Sequence, residues 1–169
     1  MPNAVVLLKC SGGTVTLPPM PLVDREDGGH LVVNPPRAVW ERGALSANEL
    51  THWGFLVAAT AQAMMAVLPQ LKDGCVNYWD AGNWALNVAA PPLGPKSVRQ
   101  HRRVHMHLLG RSPTAIHPDW QWGESPRFPE YVNATAWAAQ FEPLNAEECP
   151  RIVARTAEYL ALKYGLSVR

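Results

Sequence analysis

What this chain has little of narrows it first. It carries no excess of one charge: fifteen lysines and arginines stand against fourteen aspartates and glutamates, a formal net charge of +1. With no bulk field, extended nucleic acid and anionic membrane surfaces are argued against as partners, and any anionic ligand is expected to be small. Cysteine is scarce, only Cys10, Cys75 and Cys149. Odd in number, far apart and never closely paired, they make neither a zinc knuckle nor a thioredoxin-type motif, and read as reduced thiols. No apolar stretch approaches the ~18 residues of a transmembrane helix, and the short run at 4–8 is cut by Lys9. A cytoplasmic protein with no membrane partner is the expectation. Internal repeats and low-complexity tracts are also missing.

What is present is a 169-residue chain, 47% hydrophobic, long enough for one sizeable core, so a single domain over 1–169 is expected. Sixteen prolines imply long extended connections, and seven tryptophans imply a large aromatic share in core, interface or ligand pocket. Residues 5–8 and 15–17 read as strands around Ser11-Gly12-Gly13, an opening hairpin. Leu22 and Val23, the polar turn 24–29 and the strand His30-Leu31-Val32-Val33 read as a second hairpin, stopped by Pro35-Pro36. Ser46-Ala47-Asn48-Glu49 has the form of a capping box. Leu50, Trp53, Val57, Ala61, Met64 and Leu68 then keep helical spacing up to Pro69, predicting one long amphipathic helix whose apolar stripe lies on a sheet.

Residues 75–79 and 84–88 are β-prone segments joined by Asp80-Ala81-Gly82-Asn83. A Pro-rich link, 90–95, follows. Residues 112–142, with four prolines plus Trp120 and Trp122 between 112 and 129, read as an ordered irregular arm that covers a pocket, completes a dimer or binds a partner. Asn145 with Glu148 makes a second capping pattern before a C-terminal helix through Ile152, Thr156, Tyr159 and Leu160, ending near Gly165. The expected class is α+β: an antiparallel sheet of about five strands, one long helix and an appended C-terminal helix.

The chemistry concentrates in Arg103-Val104-His105-Met106-His107-Leu108-Leu109-Gly110-Arg111. A strand's period of two puts Arg103, His105 and His107 on one face and Val104, Met106 and Leu108 on the other, so one face packs and the other is free for chemistry. Two imidazoles beside a guanidinium combine a nucleophile or base available near neutral pH with permanent positive charge, the components needed to attack a phosphate and stabilise its oxygens. Two other readings stand beside this one: polar residues on a solvated face, or a metal site in which His101 or His117 adds a third ligand to the H-x-H pair. No acidic residue sits at a recognisable metal-ligand spacing, so no metal is expected. Asp24 suits either an Asx-turn or a ligand's hydroxyls. Asn87 suits either a phosphate oxygen or a turn cap.

The order of these features resembles the histidine-triad family of nucleotide hydrolases and transferases. Leu22-Val23-Asp24, Gly29-His30-Leu31-Val32-Val33 and Pro35-Pro36-Arg37 resemble its first hairpin with an acidic residue, a Gly-His pair and a following Pro and basic residue. The capped helix follows in place, and 103–111 resembles the H-φ-H-φ-H-φ-φ signature with its trailing basic residue. The resemblance covers roughly 20–111, and implies the histidine-triad fold, a homodimer, a small nucleotide ligand and no cofactor. It assigns His105 as nucleophile on the α-phosphorus, forming a nucleotidyl-imidazole intermediate, and His107 as a contact to phosphate oxygens. Asp24 matches the position that meets ribose hydroxyls, and His30 the histidine that orients the catalytic face. Three departures stand out: Arg103 replaces the first histidine, Gly110 the usual proline, and the small-residue and glutamine segment before the triad is not clearly present in 96–102. In the family the first position orients the nucleophile partly through its backbone carbonyl, which arginine keeps. Arg103 as a phosphate ligand, with catalysis intact, is one expectation; a nucleotide-binding or sensing module that has lost efficient turnover is the alternative.

Overall fold

Five antiparallel strands in the order β1-β2-β3-β5-β4 build an open sheet in the computed structural model, which describes residues 4–168. Strands β1 (Val5–Cys10) and β2 (Gly13–Leu17) form the opening hairpin, with Cys10 opposite Gly13. Strand β3 (His30–Asn34) pairs with β2 on one side and β5 (His105–Arg111) on the other, and β4 (Cys75–Ala81) closes the far edge against β5. The α+β class and the five-stranded antiparallel sheet are therefore as the sequence implies.

Helix α1 (Ala47–Val67) begins at the capping box: the Ser46 hydroxyl accepts from the Glu49 amide at 3.3 Å, and the Glu49 carboxylate accepts from the Ser46 amide at 2.7 Å. These contacts satisfy two of the amides a helix start leaves orphaned. The buried face of α1 is wider than the single predicted stripe, taking in Leu56, Ala59, Thr60 and Ala63, while Leu50 points to solvent. The reason is a second neighbour: α1 lies on the sheet and is itself covered by α4 (Glu148–Tyr164), which also reaches β1. By length and composition α1 alone among the described helices is apolar enough to cross a membrane, and half of its most apolar window is buried within the protein. The predicted second cap is present too, with Asn145 Oδ1 accepting from the amides of Glu147 and Glu148 at 2.8 and 2.9 Å, and the helix ends at Gly165 with φ 65°. Two short helices complete the chain, α2 (Val98–His101) and α3 (Ala134–Ala138).

Two predicted strands are not formed. Leu22 and Val23 are buried but are not paired as a strand: the Leu22 amide donates to His30 Nδ1 and its carbonyl accepts from the Trp137 indole. Both edges of β3 are already taken, by β2 and β5, so no ladder is open to them. Residues 84–88 also leave the sheet, because Gly82, at φ 133°, turns the chain off β4 into a 3-10 turn, Asn83–Leu86. Arg103 precedes β5 rather than lying on it, since the β4–β5 ladder ends at Ala81 opposite His105.

Alternation along β5 divides the interior. Val104, Met106 and Leu108 meet the main core under α1, whereas Leu109 joins a second cluster with Leu22, Val23 and Trp120 on the opposite face. The arm supplies the cover for that face. Asp27 accepts from the amides of Ile116 and His117 at 2.8 and 3.1 Å, Trp120 donates its indole N–H to the Gly110 carbonyl at 2.8 Å, and Arg111 donates to the carbonyls of Gln121 and Glu124. Gly110 sits where the turn before β3 crosses β5: a Cβ on it would stand 2.0 Å from the Gly28 carbonyl oxygen, so backbone approach excludes any side chain.

Candidate active site

The strand register brings three histidines together. His107 lies opposite Trp79 on β4, while His30, opposite Leu109, is its diagonal neighbour across the β3–β5 pair, and such diagonals are within reach of rings. The contacts form one line. The Leu22 amide donates to His30 Nδ1 at 3.1 Å, His30 Nε2 meets His107 Nδ1 at 2.8 Å, His107 Nε2 meets His105 Nε2 at 3.0 Å, and His105 Nδ1 meets the Arg103 carbonyl at 2.9 Å.

The two ends assign every proton between them. A backbone N–H only donates, so His30 Nδ1 is the accepting nitrogen and its Nε2 carries the hydrogen; a carbonyl only accepts, so His105 Nδ1 carries one. With three neutral rings, the one self-consistent arrangement has His30 Nε2–H donating to His107 and His107 Nε2–H donating to the lone pair on His105 Nε2. Burial enforces neutrality. It holds His30 well below its ordinary 6.5 and His107 at about 3, and the positive charge that neighbouring imidazoles would carry pushes in the same direction. Burial also lowers His105, opposed in part by the Arg103 carbonyl and the charge of Asp80. The outermost ring thus presents an unprotonated, oriented Nε2 at neutral pH.

His105 lines a cleft of about 480 Å³ together with Leu22, Trp79, Trp84, Arg103 and His107 among others. The volume is in the range of small-ligand sites, and the mix of aromatic wall and few polar groups fits one. The arm contributes no lining residue but backs the walls: Phe128 stacks on Trp79 with centroids 4.4 Å apart, and Tyr131 meets Trp84 edge-on. Arg103 is exposed, and its guanidinium folds onto the carbonyls of Arg99 and Arg102; among the described residues no carboxylate pairs with it. Its charge is therefore available to an anion in the cleft.

Of the residues singled out in the sequence, His105, His107, His30 and Arg103 meet here. Asp24 and Asn87 do not. Asp24 makes the Asx-turn, accepting from the Glu26 amide at 2.8 Å and from the Glu142 amide at 2.8 Å, and it lines a different cavity beside Asp27 and Phe141. Asn87 accepts from the Ala89 amide as a turn cap and lies outside the cleft lining. Backbone amides take both carboxylate oxygens of Asp24 and the Oδ1 of Asn87. His117 is packed between Trp137 and Phe141 in the arm, and among the described residues no group of three or more His, Cys, Asp or Glu is placed to hold a metal ion.

Sequence reasoning missed Trp79, Trp84 and Gly82 as parts of the site. Trp79 was accessible through register, because a residue opposite His107 shares its face. Gly82 had no local signal: a Cβ there would lie 2.7 Å from the Arg103 carbonyl oxygen, the atom that orients His105, and this approach exists only in three dimensions. No protein-family model matches the chain, and no curated protein is significantly similar to it in sequence.

Proposed function

We propose that the protein is a hydrolase or nucleotidyl transferase of the histidine-triad type, acting at the α-phosphate of a nucleoside phosphoramidate, dinucleoside polyphosphate or related conjugate. The observation that carries this reading is the hydrogen-bonded line from the Leu22 amide to the Arg103 carbonyl, which keeps His105 Nε2 unprotonated, its lone pair held by the His107 N–H until a ligand takes that place, in a residue that lines the cleft. The five-stranded antiparallel sheet with α1 on one face supports a histidine-triad fold, and the carbonyl contact supports a working nucleophile despite arginine at the first triad position.

A phosphoryl group entering between His105 and His107 replaces their mutual hydrogen bond with two contacts. Phosphorus takes the His105 lone pair as its bond to the leaving nitrogen or oxygen breaks and that group departs with the electron pair, and a non-bridging oxygen takes the His107 N–H, a contact that strengthens as negative charge grows there. Arg103 adds a fixed positive charge to the same oxygens or to the leaving group. Water or another acceptor then attacks the nucleotidyl-histidine and restores the resting line. The aromatic wall of Trp79 and Trp84 gives a planar ring of the ligand its contact area.

Rapid quenching of the protein with a nucleoside phosphoramidate, read by intact mass without acid, tests this. The expected result is one added nucleotidyl group in the wild type, none in His105→Ala, and released nucleoside monophosphate in step with turnover. Nucleotide binding with neither adduct nor product would replace the enzyme with a binding module.

A further inference from the structure

The line of histidines orients the nucleophile but has no proton to give. Were His107 to release its Nε2 hydrogen to a leaving group, it would have to be refilled from His30, and His30 from the Leu22 peptide N–H, which does not dissociate. At the other end the Arg103 carbonyl cannot take a proton up. Burial also keeps a spare proton off the line, since it holds His107 at about 3. A leaving amine or alkoxide nevertheless needs a proton as its bond to phosphorus breaks.

The other cleft residues narrow the source. Arg103 keeps its hydrogens, the Trp79 and Trp84 indoles and the Asn83 amide are not acids in this range, and Asp80 is the anionic partner of Arg42 and, at 4.0 Å, of Arg102. His101 is the remaining lining side chain able to give up a proton and take it back. It sits at the end of α2, half-buried, with Nδ1 held by the Ser97 carbonyl at 3.1 Å, which fixes that nitrogen as N–H and leaves Nε2 to exchange.

Resting on the proposed nucleotidyl chemistry, we infer that His101 is the general acid and base of the reaction, protonating the leaving group from Nε2 and later accepting a proton from water. In the first step the bond from phosphorus to the leaving nitrogen or oxygen breaks with its electron pair, His105 Nε2 bonds to phosphorus, and the His101 Nε2 proton moves to the leaving atom. In the second, water oxygen bonds to phosphorus, its proton moves to His101 Nε2, and the bond to His105 breaks. The sum is hydrolysis, with both histidines returned to their starting states.

The test uses two substrates that differ in their need for a proton: a nucleoside phosphoramidate of an alkylamine, and a nucleoside 5′-(p-nitrophenyl phosphate), whose phenolate leaves unassisted. The readout is the rate at which adduct forms on His105 in wild type, His101→Gln and His101→Asn, with urea midpoints confirming that the variants fold. Both variants should slow adduct formation from the alkylamine substrate by about 10²-fold or more, keep the nitrophenyl rate within about threefold, and release the accumulated adduct slowly. Equal slowing of both substrates, or slowing of neither, overturns the assignment. A wild type that forms no adduct from either substrate overturns the nucleotidyl reading itself, and is told apart by that.

Discussion

Acidification should unfold this protein through its buried histidines before its carboxylates matter. In the unfolded chain His107 protonates around 6.5, but in the folded protein burial holds it to about 3. The unfolded state therefore binds the additional proton between those values, so stability is fully present above 6.5, falls as pH drops through it and goes on falling to about 3. At pH 5 the His107 contribution alone removes about 2 kcal/mol relative to pH 8. His30, pushed the same way by its own burial, adds to the loss, and because each ring lowers the other the two are coupled rather than additive. Glu49, held from its ordinary 4.5 down to about 2 chiefly by its hydrogen bond from Arg37, loses its stabilising contribution only as pH falls through 4.5 toward 2, below the range from pH 8 to 5. With a urea dependence of about 2 kcal/mol per molar, the unfolding midpoint should move down by about 1 M from pH 8 to pH 5, and by less in His107→Gln. A wild-type midpoint that stays level over this range, or a variant that falls as steeply, would refute the buried neutral line.

Gly82→Ala places a Cβ against the Arg103 carbonyl at a backbone φ that favours glycine; it should lower kcat by about 10²-fold through misaligned His105 while leaving KM within a few-fold, and a kcat within twofold would contradict that role. Arg103→Ala keeps the carbonyl and removes the cation, so nucleotide KM should rise about tenfold while the His105 adduct still forms; loss of the adduct would move the function of Arg103 to its side chain. Trp120→Phe removes the hydrogen bond to Gly110 and weakens the stack beneath Arg111, which should cost about 1–3 kcal/mol in urea unfolding and open residues 112–142 to limited proteolysis.

The parts of the fold legible in the sequence are those set within a few residues. Both helix caps, the opening hairpin and, apart from Arg103, which precedes the strand, the two-faced pattern of 103–108 depend on neighbours in the chain and are found in place. Leu22 and Val23 show where such reasoning stops: they have strand composition, yet the amide and carbonyl of Leu22 go to an imidazole eight residues ahead and an indole 115 residues away. Asp24 and Asn87 carried two readings each, a ligand and a turn, and the turn prevails because amides two residues ahead reach both side chains. His30 enters the site through register with β5, a relation that its flanking residues express only as a pattern. Gly110 and Gly82 owe their identity to backbone arriving from elsewhere, at Gly28 and Arg103.

The Arg103 carbonyl is where these strands of argument meet. It accepts from His105 Nδ1, marks the start of β5, and is packed against the turn that Gly82 makes as the chain leaves β4. On the proposed chemistry, the first triad position contributes an oxygen of the backbone, which no substitution at that position removes. The side chain is then free to change. Arginine there is exposed, its guanidinium on the Arg99 and Arg102 carbonyls and unpaired with any carboxylate among the described residues, and it adds a permanent positive charge to the lining of the cleft. A histidine in that place would compete for protons with the line behind it, whereas a guanidinium holds its charge at every working pH and leaves proton transfer to His101. Orientation, charge and proton delivery are thereby assigned to three different groups, which is why the Arg103 and His101 variants should differ in kind: one in substrate affinity, the other in sensitivity to the leaving group.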